Sequence, residues 1–267
     1  MGAIADWVTV GSSLGNTLQW QPWVFGAVLN AVLLVGVWRL PKALLTPAGI
    51  VHAWILGVIV WGSLGWAGYA VVALYFVMGS AVTRVGMAEK EAAGIAEKRS
   101  GARGPENVWG SAATAALCAI AVVGAIALDA PQFIPWLWLG YVASFATKLS
   151  DTFASEIGKA YGKRTFSMIS LQSVPAGTEG AVSLEGTIAG VVGSILIAIT
   201  GWSVGLISLL GLGLCVIAAF IGTTAESFIG ATLQDKFNWM TNEVVNAINT
   251  LIGAIAAIGL GAIVGLG

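Results

Sequence analysis

Four stretches of this chain concentrate the residue types that handle phosphate, divalent cations or polar headgroups. The first is KRSGARGPENVWGS, residues 98–111, in which Lys98, Arg99 and Arg103 stand among Gly101 and Gly104. Arginine presents a planar fork to phosphate oxygens, and a glycine-rich backbone can close around them. A basic loop also serves as a topology signal, but Glu106 and Asn107 at the mouth of the next apolar run favour a working loop. The second is LSDTFASEIGKAYGKRT, residues 149–165. On a helix, Asp151, Ser155, Gly158 and Gly162 share one stripe, which offers a carboxylate, a hydroxyl and two bare backbone positions. Glu156, Lys159 and Lys163 occupy a neighbouring face, either as ligands or as i, i+3 and i, i+4 partners of one another.

The third stretch, PAGTEGAVSLEGTIAG, spans residues 175–190 and sets Glu179 and Glu185 among Gly177, Gly180 and Gly186. Carboxylates beside glycines suit Mg2+ held jointly with phosphate oxygens. Ser183 as a helix cap, with Glu185 in the first turn, is the alternative. The fourth is an amide stripe, Asn242, Asn246 and Asn249, which continues to Gly253 and must face a bundle interior or a wet cavity. Helix–helix hydrogen bonding is its structural reading. Thr223, Thr224, Glu226, Ser227, Gln234 and Asp235 form a second polar edge upstream. His52 is the single histidine, so neither a histidine metal site nor a Ser-His-Asp arrangement is available. Cys118 and Cys215 lack metal-ligand or CxxC spacing and read as small core residues.

The elements that must position these groups are set by composition. Hydrophobic residues make up 57% of the 267, and charged residues only 9%. Soluble domains carry roughly 25% charged residues, so this is a polytopic membrane protein. A net charge of −1 gives no footprint for nucleic acid. Spans of roughly 20 apolar residues are needed to cross a bilayer. They fall at 22–38, 48–62, 65–82, 108–128, 134–150, 183–200, 203–221 and 244–264, with 223–235 as a short or re-entrant ninth piece. The expected fold is therefore all-α: one domain over 1–267, a transmembrane bundle of about eight spans, with seven to nine as the range. Two polar loops, near 83–107 and 151–182, would carry the site. Trp20, Trp23, Trp38, Trp136 and Trp138 lie near span ends, as an interfacial belt would. The first ten residues have no basic flank ahead of an apolar run and do not read as a signal peptide.

Eight spans place all 12 Lys and Arg on one face: Arg39 and Lys42, then Arg84 to Arg103, then Lys148 to Arg164, then Lys236. By the positive-inside rule that face is cytoplasmic, or stromal in a plastid, with both termini opposite. Most of the 36 glycines read as helix packing, with Gly186 and Gly190 as one small-xxx-small pair and Gly253, Ala257 and Gly261 as another stripe. The phosphate loop G-x-x-x-x-G-K-[ST] is absent, so phosphate would be handled without a P-loop.

Six segments together resemble the DUF92 (TMEM19-like) integral membrane family, which includes the plant and cyanobacterial phytyl-phosphate kinases. They are LTPAGIVHAWILG (44–57), GIAEKRSGARGPENVWGSA (94–112), SDTFASEIGKAYGKRT (150–165), GTEGAVSLEGTIAG (177–190), ESFIGATLQ (226–234) and TNEVVNAINTLIGA (241–254). The SDxxASEIG and EGxxSLEGT segments are also similar to the CTP-dependent dolichol and phytol kinases. The resemblance implies phosphoryl transfer from a nucleoside triphosphate, CTP being the expected donor, to phytyl phosphate or a related prenyl phosphate. The diphosphate would feed tocopherol and phylloquinone synthesis. It also implies a cyanobacterial cytoplasmic or thylakoid membrane, or a plastid membrane in a plant.

Such chemistry rests on positioning and charge neutralisation. Asp151, Glu179 and Glu185 are expected to hold Mg2+ and nucleotide phosphates with Glu156 as helper, and Asp151, Glu185 and Arg103 to act in catalysis. Lys98, Arg99, Arg103, Ser155, Gly158 and Gly180 would bind phosphates, with Lys159, Lys163 and Arg164 behind them. Asn107, Glu226, Asn242, Asn246 and Asn249 would line the acceptor's groove, entered from the bilayer. A transporter or flippase is the competing class, since polar helices also suit ion-coupled transport. One-sided charge and the lack of broken-helix repeats count against it. A scaffold without chemistry leaves the acid–base clusters unexplained.

Overall fold

A computed structural model describes residues 20–266, without the side chain of Asp235. The reading of the first ten residues lies outside this range. Among the described residues, eight α-helices make the bundle: α1 (Gln21–Trp38), α2 (Pro47–Thr83), α3 (Met87–Ala92), α4 (Pro105–Ala127), α5 (Ile134–Tyr161), α6 (Leu184–Ser203), α7 (Leu209–Thr232) and α8 (Asn242–Ile263). Six of them, α1, α2, α4, α6, α7 and α8, are long and apolar enough to cross a membrane. The helix starts follow local chemistry. Thr46, Ser183, Ser208 and Thr241 each cap a helix by accepting from the backbone N–H three residues on. Pro47 and Pro105 stand in first turns, where a missing N–H costs nothing.

α2 is two helical limbs in one. Gly65 breaks it with φ 61° and ψ −153°, a conformation open to glycine. The break falls where the apolar runs 48–62 and 65–82 divide. Two other expected boundaries are corrected. The run at 134–150 continues as helix to Tyr161, which absorbs the first part of the expected second polar loop. The run at 203–221 starts only at Leu209 and continues to Thr232, so the proposed ninth piece is its last part. The remaining loop carries an unforeseen antiparallel hairpin, β1 (Thr165–Ser167) on β2 (Ala181–Ser183), with Phe166 opposite Val182.

α5 is the axis of the bundle. Every residue from Leu139 to Thr152 is buried, with α2, α4, α6, α7 and α8 packed around it. Its burial explains why polar residues continue along it without ending the helix: they meet protein and not lipid. Close approach is made by small residues, as expected. A Cβ on Gly186 would lie 2.5 Å from the Ala154 carbonyl oxygen, and one on Gly190 3.0 Å from that of Ser150. Gly253 on α8 likewise meets Thr147 of α5. The Tyr141 hydroxyl, fully buried, donates to the Gly68 carbonyl at 2.7 Å. His52 accepts from the Trp109 indole N–H at 2.8 Å, the structural role its isolation suggested.

Candidate active site

The loops at one end of the bundle close over a cavity of about 790 Å3. Its wall is built from the end of α2, residues 94–103, the start of α4, the second half of α5, residues 176–183, the first turns of α6, the middle of α7 and the start of α8. Arg99, Arg103, Lys148 and Lys159 on it are each held by a specific contact. Arg103 N–H donates to the Leu44 carbonyl and the Arg103 carbonyl accepts from Thr46 N–H, both at 3.0 Å. This staple aims the side chain inward, where Nη1 donates to the Tyr75 hydroxyl at 3.0 Å and the guanidinium stacks 5.1 Å from the Tyr75 ring centre. Gly79 makes room for it: a Cβ there would lie 2.6 Å from Arg103 Nη2.

The loop before Arg103 is unusual in backbone. Arg99, Ser100 and Gly101 follow one another with φ of 55°, 48° and 81°. Left-handed conformations at two successive non-glycine residues are costly and concentrate at working sites. Arg99 is steered by Glu106 and by Asn107 Oδ1, which accepts from it at 2.9 Å. The same Asn107 oxygen accepts from Gly104 N–H at 2.9 Å and so caps α4, while its amide donates to Glu243 at 3.4 Å.

Opposite this loop stands Lys148, which the sequence places at the polar end of the 134–150 run and outside the expected site. It lies well inside α5, its side chain 9% exposed, and its ammonium donates to Asp151 Oδ2 at 2.5 Å and to Asn246 Oδ1 at 2.8 Å. Glu226 of α7 and Glu179 of the 176–183 segment complete the acidic wall. Ser150 and Thr223 hydroxyls meet at 3.2 Å between α5 and α7. The i, i+3 spacing of Lys148 and Asp151 inside an apolar run was the available signal for this pair. Lys90 was missed as well. It is fully buried, paired with Glu156 and donating to the Thr83 carbonyl at 2.9 Å, and it pins α3 to α5.

Most expected site residues come together. Lys98, Arg99, Arg103, Asn107, Asp151, Ser155, Glu156, Gly158, Lys159, Glu179, Gly180, Glu226, Asn242 and Asn246 all line the cavity. Four do not. Glu185 stands in the first turn of α6 behind the Ser183 cap, the alternative weighed for it. Lys163 and Arg164 are exposed beyond the end of α5. Asn249 is fully buried between helices, and its amide has no hydrogen-bond partner among the described residues. Glu156 reaches the cavity wall already committed to Lys90, and Asn242 accepts from Gln234.

Gly180 has φ 69° and fits against α7 so closely that a Cβ would strike the Ser227 carbonyl oxygen. At the rim, Lys159 bridges to Glu97 at 3.4 Å. Burial raises the Glu97 pKa, but the nearby Lys159 ammonium, its hydrogen bond and the more distant Lys148 outweigh this and hold the carboxyl below its ordinary value. Among the described residues no three His, Cys, Asp or Glu side chains converge as a ready-made metal cage.

A bundle of long apolar helices around one polar, charge-lined cavity defines an integral membrane protein with its site at one end. The DUF92 integral membrane protein family matches residues 30–254, and the chain belongs to it. It is 62% identical over 239 residues to an uncharacterised membrane protein of Synechocystis sp., covering 90% of this chain and 91% of that one. It is 48% identical over 216 residues to the chloroplastic protein VTE6 of Arabidopsis thaliana, covering 80% of this chain and 64% of that longer one. An uncharacterised membrane protein of the archaeon Methanocaldococcus jannaschii is 32% identical over 212 residues, 79% of this chain and 83% of that one. No solved structure matches the chain.

Proposed function

We propose that this protein is a membrane prenyl-phosphate kinase that converts phytyl phosphate, or a related prenyl phosphate, to the diphosphate with a nucleoside triphosphate, CTP first among the donors. The observation that carries the reading is one cavity in which Lys98, Arg103, Lys148 and Lys159 face Asp151, Glu179 and Glu226 at the end of a lipid-embedded bundle. Family membership and the similarity to a chloroplastic relative support the prenyl-phosphate kinase reading, and phytyl phosphate is the acceptor that the sequence resemblance implies.

In the reaction an oxygen of the acceptor phosphate attacks the terminal phosphorus of the nucleotide. The bond from that phosphorus to the bridging oxygen breaks, and the nucleoside diphosphate leaves. An anionic phosphate oxygen needs no strong general base, which suits a cavity without histidine. Arg103, held rigidly over Tyr75, and Lys148 would bind the phosphate oxygens on which charge accumulates. Carboxylates spread over α5, α7 and the 176–183 segment suit a cation that brings phosphate oxygens and water as further ligands. Asp151 and Glu179 would hold Mg2+ there, and the ion would supply charge neutralisation. Asn242 and Asn246 would order the acceptor phosphate at the start of α8. The loaded face would be cytoplasmic or stromal.

The test is purified protein in detergent with phytyl phosphate, Mg2+ and each nucleoside triphosphate, read for phytyl diphosphate by mass spectrometry. Mg2+-dependent product that disappears in Asp151→Asn is expected. No product from folded protein with phytyl, geranylgeranyl or farnesyl phosphate would overturn the reading. One observation favours a second reading, ion-coupled transport: the Lys148–Asp151–Asn246 network lies within helices and not at a loop. Transport would require sealed vesicles and a gradient, whereas the kinase works in detergent.

A further inference from the structure

The lining of the cavity reaches the outside of the bundle at a second place. Its rim at the loops is charged, with Lys98, Arg99 and Glu97 exposed. On the opposite side the cavity is lined by Thr187 and Val191 of α6 and by Phe220 and Thr224 of α7. Thr187 and Phe220 are also exposed on the outside of the bundle, Phe220 to 53%. A residue that lines the cavity and the lipid-facing surface together marks an opening between them. The two helices meet again at the far end through residues 204–208, and Gly180 lies across α7 at Ser227 and Ala231 near the loop end. The opening is thus a bounded lateral window between α6 and α7. Phe220 lies 12 residues before the end of α7, roughly 18 Å along the helix from Thr232, and so faces hydrocarbon.

We propose that this window takes the single isoprenoid chain of the acceptor while its phosphate sits at Asp151, Lys148 and Asn246; the proposal rests on the kinase reading and names where its substrate enters and what measures its chain. The polarity gradient argues for an amphiphile. The Ser150–Thr223 hydroxyl pair and Thr224 stand one turn inside Phe220, and beyond Phe220 the wall is apolar. Tail outside and phosphate inside matches that order without dragging charge through lipid. The other apolar groove, between α1 and α2 at Trp38 and Trp54, shares no lining residue with the polar cavity.

The experiment uses the full chain in lipid nanodiscs with a prenyl phosphate carrying a diazirine at its tail end. Photolabel on the peptides holding Val191 and Phe220, displaced by excess phytyl phosphate, is expected. In parallel, Val191→Trp should lower kcat/KM for phytyl phosphate by at least about tenfold and leave isopentenyl phosphate, which needs no window, within about threefold. Ile255→Trp, an equally bulky change on the lipid-facing side of α8, is the control. Label in the α1–α2 groove, or equal loss on both substrates from Val191→Trp, overturns the window. Displacement of the label by a two-chain phospholipid as readily as by phytyl phosphate overturns the single-chain occupant. Specific labelling by protein that phosphorylates no prenyl phosphate would leave the window standing and overturn the kinase reading alone.

Discussion

The role proposed for Arg103 requires that the space around it is kept open. Its guanidinium passes Gly79 on its way to Tyr75, and a methyl group there would press on Nη2, the far end of a flexible side chain. The side chain can move aside at little cost in stability, but it then leaves its place over the ring. Gly79→Ala should therefore cut kcat by tenfold or more (about 1.4 kcal/mol of barrier) while the thermal midpoint in detergent stays within a few degrees. A large fall in midpoint would show that Gly79 serves packing and not Arg103. Lys90 makes the opposite case. Its ion pair with Glu156 has side chains 1% and 2% exposed, so losing one partner strands a buried charge. Lys90→Met should destabilise by about 3–5 kcal/mol, and Lys90→Met with Glu156→Met by much less, because the apolar pair leaves nothing uncompensated. Denaturation of the three proteins under one condition decides it.

At the scale of elements, the helices were legible where lipid surrounds them and misread where protein does. Hydropathy placed α1, both limbs of α2, α4 and α8 to within a few residues, because a lipid-facing helix must be apolar on its outer surface. It stopped α5 too early because Asp151 and its polar neighbours look like a loop in composition alone, yet they are enclosed by five other helices. Lys90 was invisible as a core group because its partner, Glu156, is 66 residues away, and of the Lys148 contacts only the one to Asp151 is local, its second partner, Asn246, being 98 residues away. The small-residue stripes read correctly because close backbone approach leaves a sequence signature that does not depend on partner identity. That signature predicts a contrast. Gly186→Ala sets a Cβ 2.5 Å from the Ala154 carbonyl oxygen and should destabilise the α5–α6 crossing and lower activity with it. Gly213→Ala on α7 meets nothing within 4 Å and should be neutral or stabilising by about 0.5–1 kcal/mol. Equal midpoints for the two variants would remove the packing argument. The rim of the cavity should respond to pH through Glu97. Its folded-state pKa is held down, so the Lys159 clamp is complete above the ordinary Glu value of 4.5 and is lost as pH falls through the lowered one. Protection of residues 94–104 from protease should hold from neutral pH down to about 5 and fail only below, and Lys159→Met should remove that dependence.

At the scale of the whole molecule, the charges and the cavity tell one story about orientation. The segments that hold the basic residues touch one another: Leu45 bridges to Arg103, Ile95 packs on Gly177, Lys159 pairs with Glu97, and Asn107 reaches Glu243. The turns at 128–133 and 204–208 carry one charge between them, Asp129. The proposed orientation puts the basic end toward the cytoplasm or stroma, since translocating Lys and Arg is disfavoured. Nucleoside triphosphates are held on that side, so the proposed kinase would meet its donor only in this orientation. With Cys118 and Cys215 replaced by alanine, Ser170→Cys on the exposed 168–173 segment should react with a membrane-impermeant maleimide in inside-out vesicles and stay unreactive in right-side-out ones. Gln132→Cys, on the opposite turn, should show the reverse. The inverted pattern would put the polar mouth where no nucleotide waits, and would turn the same buried Lys148–Asp151–Asn246 network into an argument for a transporter.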